Sequence, residues 1–356
     1  MKHLALKSGL MAAVFTAGMS ATAMAEDFTL RIASGHPDVN TYVRLMSEFF
    51  VPEVEARVAE RTDHTVSFIE GYGGSMVSVS DTLEGVQSGV IDIGGFCFCF
   101  EASNLPLHAF QVMLPFGTMS PVESVTLARA VYDQVPELEG TFEQRFGQTL
   151  LGLIADNGYN LVTNFEWETV EDLQGQRIAG AGLNLKWLEY AGVVPVQSSL
   201  VDAYTSLQTG VYNGWIMFPS GVINFRLYEV ADNYAETGFG SITWHGLTMN
   251  QNRLNSLPPE VQEIILEVGR EYEEMTGTVN EEDYAAQIAE LEELGSNVWE
   301  ISDDVRETWA NSLAGWPQEM ANELDAAGQP GSQVLNIALD EAEVLGYEWP
   351  VRYEID

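Results

Sequence analysis

Apolar positions along the chain switch between two periods, and the switches mark out the elements. Residues 28–33 (FTLRIA) alternate and predict a strand that ends at Ser34-Gly35-His36-Pro37. From Tyr42, the residues Val43, Met46, Phe49, Phe50, Val54 and Val58 recur at helical spacing, with Pro52 as a kink or restart. Residues 65–70 form a second strand. A glycine-rich turn over 71–75 follows, then a helix with Leu83 and Val86 that Ser78 or Ser80 can cap, and a third strand over 90–94. This β-α-β-α-β order predicts an α/β layout. The segment 96–101 (FCFCFE) leaves the third strand as an aromatic loop ending in a carboxylate. A helix is expected over 121–135, and the apolar run 149–155 reads as a buried strand. Asp156-Asn157-Gly158 should break that strand, with 161–163 resuming it, and a crossing between domains is expected there.

Residues 172–219 repeat the α/β rhythm. Strands are expected at 176–179, 194–197 and 211–218, with helices at 183–190 and 201–208; Ser199 and Asp202 are spaced as a capping box. Ligands of such sheets sit in the crevice at the carboxyl ends of the strands. After a strand at 242–249, Pro258-Pro259 opens a long helix with an apolar stripe of Val261, Ile264, Ile265, Val268 and Tyr272, continuing to Glu293. Gly295 stops it before a short strand at 297–301. Trp309, Leu313, Trp316 and Met320 predict one amphipathic helix, and 333–345 another.

The first 25 residues stand apart from this pattern. Lys2 and Lys7 precede an apolar stretch too short to span a membrane, and Ala23-Met24-Ala25 is a cleavage signal before Glu26. A cleaved signal peptide at 1–25 and a periplasmic location are expected, with no lipid anchor. The chain carries 53 acidic residues against 15 Lys and Arg, a net charge of −38, and loss of Lys2 and Lys7 makes it −40. Such a coat suits a solvated, salt-tolerant exported protein and argues against nucleic acid as a partner. Its field concentrates cations, within about 8–10 Å at ordinary ionic strength. Cys97 and Cys99 are two apart; in a strand they would point to the same face, poorly placed to bridge each other, and they read as buried small apolar groups.

Catalytic signatures are missing. The sequence has no Walker loop, HExxH, CxxC or GxSxG. His36, His64, His108 and His245 are too scattered for a metal signature, and acidic pairs are too common to single one out. A binding protein without metal or cofactor is expected, ahead of an enzyme.

The run Asp81-Thr82-Leu83-Glu84-Gly85-Val86-Gln87-Ser88-Gly89-Val90-Ile91-Asp92-Ile93 resembles the substrate-binding subunit of tripartite ATP-independent periplasmic (TRAP) transporters, the DctP-like family. The resemblance continues at Leu114-Pro115-Phe116, Asp172-Leu173-Gln174-Gly175, residues 203–211, Tyr228-Glu229-Val230 and residues 257–262. It implies an α/β, two-lobed periplasmic binding protein with a hinge and a long helix packing on both lobes. Residues 26–156 with about 246–285 would form one lobe, and 157–245 with about 286–356 the other. A small ligand would be enclosed by hinge closure and delivered by a monomeric receptor to membrane permease subunits driven by an ion gradient.

Departures from the family pattern concern the ligand. The family's carboxylate-binding arginine falls at Ala179, and Arg177 takes the place of its lysine, where a surface role or a substitute role is open. An arginine often found after Asn-Gly is replaced by Tyr159 and Asn160, and a D-G-x-E-N segment reads Asn213-Gly214-Trp215-Ile216-Met217. Without a guanidinium fork an anion loses its best partner. The candidate ligand-binding residues are Glu101, Asp156, Tyr159, Asn160, Trp215, Phe218, Phe98, Trp187, Asn184, His36, Tyr72 and Trp244. Aromatic faces attract an ammonium by about 0.5–2 kcal/mol each, Glu101 is the expected buried carboxylate, and Asn184 can donate to a hydroxyl. The expected ligand is a small cationic amino alcohol such as ethanolamine. A neutral aromatic or polyol ligand, an organic acid held without the arginine, and a periplasmic enzyme remain alternatives, and each ring has ordinary core packing as its plain explanation.

Overall fold

The structure is a computed structural model that describes residues 25–356, so the expected signal peptide, Ala25 apart, lies outside the described residues. Two long antiparallel strands run through the middle of the fold, β4 (Gln148–Thr163) and β8 (Asn233–Asn250). Before β4 in the chain come β1 (Asp27–Ala33), β2 (Thr65–Gly71) and β3 (Ile93–Cys97). Between β4 and β8 come β5 (Arg177–Gly180), β6 (Val194–Gln197) and β7 (Gly214–Met217); β9 (Asn297–Glu300) follows. The sheet order is β2-β1-β3-β8-β4-β7-β5-β6, with β9 on β8. β1, β2 and β3 are mutually parallel, as are β5, β6 and β7. The result is a mixed α/β sheet with a parallel set at either side of a shared antiparallel pair.

Several expected boundaries move, each for a local reason. The break at Asp156-Asn157-Gly158 does not end the strand. It is a register shift against β8 between Ala155 and Gly158, within a β4 of 16 residues. Turn-forming residues are tolerated because pairing resumes on both sides of the irregularity. The third strand starts at Ile93 rather than residue 90, because Asp92 turns back to take the Arg31 backbone N–H and side chain. Pro52 follows directly on a wider helical turn over Met46–Phe50, which joins the preceding helix to the helix Val51–Arg61 and accommodates a residue that has no N–H to donate. The single helix expected around Trp309 and Trp316 is two, Asp303–Ser312 and Trp316–Ala326, separated over 313–315 with Pro317 in the first turn of the second. Ser199 donates to Asp202 at 2.6 Å instead of capping a helix.

The helix Pro259–Glu293 has 35 residues, about 52 Å at 1.5 Å per residue. It approaches β4 closely where Gly152 meets Gly269: a Cβ at Gly152 would lie 2.4 Å from the Gly269 carbonyl oxygen. Four residues on, Glu273 is buried and accepts the Leu153 backbone N–H at 2.7 Å and Arg129 Nε at 2.8 Å. Arg129 comes from the helix Pro121–Gln134, so one carboxylate ties three elements together. The carboxy-terminal helices pack on this side too, Gly331–Val344 against Pro121–Gln134 and Trp316–Ala326 against the segment Pro106–Met113.

Candidate functional site

A cavity opens where the end of β1, the end of β3, the irregular part of β4, the loop after β5, the end of β7 and the middle of β8 converge. Its volume is about 60 Å³ measured to the centre of a water-sized sphere, room for roughly four to six water-sized units at 10–15 Å³ each. Among the described residues no lysine or arginine lines it.

Asp156 is the carboxylate of the cavity. The register shift in β4 turns its side chain in, and three donors gather on Oδ2: Tyr159 Oη at 2.6 Å, Trp244 Nε1 at 2.9 Å and His245 Nδ1 at 3.2 Å, the last poorly aligned for a hydrogen bond. Burial alone would raise this carboxyl, but His245, Tyr159 and Trp244 more than offset it and hold it below the usual carboxylate range. Among the described residues no donor meets Oδ1. The cavity therefore contains an ionised aspartate with one oxygen saturated and one available.

Aromatic groups form much of the remaining wall. Tyr159 stands edge-on to Phe218 at 5.2 Å between centroids and to Trp244 at 6.0 Å. Trp215, Tyr42 and Phe100 also line the space. His36 reaches it from the turn after β1, with Nδ1 2.8 Å from Tyr42 Oη.

Of the expected site residues, His36, Asp156, Tyr159, Asn184, Trp215, Phe218 and Trp244 line the cavity. The others do not. Glu101 is buried one residue past the lining Phe100, where its carboxylate accepts from Asn104 at 2.7 Å; Asp156 occupies the place expected for it. Asn160 follows Tyr159 on β4 and points to the opposite face, bonded to Tyr234 and Tyr284 hydroxyls and to Gly238 N. Phe98 packs edge-on to Phe96 and His108. Trp187 stacks on Phe239 and donates to the Val112 carbonyl, one layer behind Tyr159. Tyr72 donates to Glu70 beyond β2.

Ala179 is fully buried and pairs with Trp215 across β5 and β7, while Arg177 is exposed and donates to the Gly210 carbonyl at 2.6 Å. Arg177 is thus a surface residue and no substitute for a cavity arginine. Ile216 and Met217 are part of the cavity wall. Tyr42 and His245 also line it; sequence reading placed one in an apolar helical stripe and left the other inside a strand. Cys97 and Cys99 are buried as expected but are joined in a disulfide, which corrects the expectation of separate thiols. β3 ends at Cys97, and the tight turn Phe98–Phe100 brings Cys99 back to a Cα separation of 5.1 Å.

The site predicts an acid response. Burial, with His245 adding, pushes the His36 imidazole down to about 4. Its folded value lies below its unfolded one, so the stability it contributes is complete above the unfolded value and is lost as pH falls towards 4. Asp156, also depressed, acts in the same direction at lower pH. Urea unfolding between pH 7 and 4 should show a loss on the order of 2–3 kcal/mol that is smaller in His36→Gln. An unchanged slope in that variant would remove His36 as its source.

Among the described residues no helix is long and apolar enough to cross a membrane, and no cluster of His, Cys, Asp and Glu could hold a metal ion. The family model for DctP, described as bacterial extracellular solute-binding protein, family 7, matches residues 48–324. A solute-binding protein of Sulfitobacter sp. (strain NAS-14.1) is 27% identical over 266 residues, 73% of this chain and 77% of that protein. Two of the crystal structures that share the fold illustrate the likeness. A TRAP periplasmic solute-binding protein of Desulfovibrio salexigens, an open complex with the C-terminus of a symmetry mate in its ligand site, superposes with a TM-score of 0.77 at 23% identity, covering 90% of this chain and 97% of that one. A TRAP solute-binding protein of Rhodoferax ferrireducens with copurified benzoate gives 0.78 at 18% identity, covering 89% and 98%.

Proposed function

As the chain belongs to the DctP family of bacterial extracellular solute-binding proteins, family 7, we propose that it is the periplasmic receptor of a TRAP transporter and that its ligand is a small organic cation. The observation that carries the ligand assignment is the ionised Asp156: among the described residues no donor meets its Oδ1, and no lysine or arginine lines the aromatic cavity around it. An ammonium placed there gains a countercharge in a desolvated site and the faces of the surrounding rings. A carboxylate would instead face Asp156 without a guanidinium to offset the repulsion. The volume favours a compact ligand on the scale of ethanolamine, smaller than benzoate. Residues 26–156 with about 246–285 would form one lobe and 157–245 with about 286–356 the other, the receptor acting as a monomer that hands its ligand to the permease subunits.

Titration calorimetry with ethanolamine, choline, a neutral diol and benzoate tests this. Binding of an amine and none of the carboxylate supports the reading; binding of benzoate alone overturns it in favour of an organic acid, the ligand class of the Rhodoferax protein.

Closure of the site has its own test. Asn224, at the end of the helix Pro219–Asn224, donates to the Val39 carbonyl at 2.7 Å, beside the cavity residues Thr41 and Ser220. Asn224→Ala removes a bond worth about 0.5–1.5 kcal/mol. Ligand release in stopped-flow fluorescence should speed up by about 2- to 10-fold. An unchanged rate would exclude this bond from the closed state.

A further inference from the structure

We propose that His36 is a specificity-determining residue that presents a fixed Nε2–H donor to the cavity and reads an oxygen atom on the ligand. The inference rests on the cation reading and narrows it to cations that carry an acceptor oxygen, such as amino alcohols.

The reasoning begins at Ser34. This residue is fully buried, so its hydroxyl hydrogen needs a protein acceptor. Its Oγ receives the His36 backbone N–H at 3.2 Å and lies 2.9 Å from Tyr42 Oη. Among the described residues Tyr42 is the acceptor in reach, so Ser34 donates to Tyr42. The phenol has a single hydrogen, and its other partner is His36 Nδ1 at 2.8 Å. That hydrogen goes to Nδ1, which is therefore an acceptor. A neutral imidazole with Nδ1 as acceptor carries its own hydrogen on Nε2. Burial keeps the ring neutral through the physiological range.

The relay is held in place at both ends. The Tyr42 backbone carbonyl accepts from Tyr272 of the long helix at 2.8 Å. His36 sits at the end of β1 and lines the cavity, and among the described residues no acceptor meets its Nε2. The cavity thus offers two complementary points: Asp156 Oδ1 accepts from an ammonium, and His36 Nε2–H donates to an oxygen. A hydroxyl can use both its acceptor and its donor capacity there, whereas an alkylamine leaves the imidazole N–H unpaired, at a cost in affinity.

Two measurements test the inference together. In ¹⁵N NMR of the ligand-free receptor, His36 should show a pyridine-like Nδ1 and a pyrrole-like Nε2; the opposite pattern overturns the proposal. In titration calorimetry, ethanolamine should bind at least about tenfold more tightly than ethylamine, and the ratio of the two affinities should fall towards one in His36→Leu. Equal affinities for the two amines in the unmodified receptor overturn the role of His36 and leave the cation reading standing. No binding of either amine overturns both. The comparison of amines on the unmodified receptor and its NMR do not depend on the variant folding.

Discussion

Asp156→Asn is expected to weaken binding of a small ammonium ligand about thirtyfold to several thousandfold, because truncating one member of a buried charge pair costs about 2–5 kcal/mol. The amide keeps the size of the side chain, and its oxygen can still accept from Tyr159 and Trp244, which meet the carboxylate at 2.6 and 2.9 Å. It has no charge to offer and turns an NH₂ towards the cavity or towards His245. Rings alone supply about 0.5–2 kcal/mol each to a cation, so residual binding should persist at high ligand concentration. Calorimetry reads the affinity, and circular dichroism with thermal melting verifies the fold. Unchanged affinity in a folded variant would take the carboxylate out of the site.

The largest effect on stability is expected at Glu273. Glu273→Ala should lower the unfolding free energy by about 3–5 kcal/mol, the usual cost of breaking a buried ion pair by removing one partner. Arg129 would keep only Glu139 at 2.8 Å as a close acceptor, and the Leu153 N–H would lose its partner inside the sheet. Glu273→Gln retains an acceptor for Leu153 and should cost less. Urea titration followed by tryptophan fluorescence gives the midpoints. Equal midpoints for the alanine variant and the parent protein would show that the network carries no net stability.

Much of the frame was legible from periodicity. The helix Pro259–Glu293 follows from an apolar stripe with proline at its start and glycine beyond its end, and β6 lies at the residues expected. The middle of β4 was not legible, because Asp156-Asn157-Gly158 is a strong turn signal in isolation and only pairing with β8 overrides it. The site was legible in part for a related reason. Strand-end residues such as His36, Asn184 and Phe218 point to the cavity, but a buried ring in the wall and a buried ring one layer deeper look alike in sequence. Tyr159 and Trp187 differ in this way alone. Asn160 was misplaced by the two-residue period of its own strand. The Cys97–Cys99 pairing was missed because the two were weighed only as they would lie in an extended strand, whereas the strand ends at Cys97 and the chain turns back there.

Asp156 divides its work between two oxygens. Oδ2 is committed to Tyr159 on its own strand and to Trp244 on the neighbouring one, with His245 Nδ1 beside it at 3.2 Å. Only Oδ1 is left for a guest. The carboxylate is therefore a beam of the building as well as a lock on its door. Re-engineering this receptor for an anion cannot proceed one residue at a time: an arginine added to the wall would be neutralised by Asp156, and removing Asp156 first would leave the Tyr159 hydroxyl without its acceptor and Trp244 with Tyr159 alone. A swap of cargo calls for coordinated replacement across β4 and β8. Sequences on either side of such a swap should differ at these positions as a block, with few viable intermediates between them.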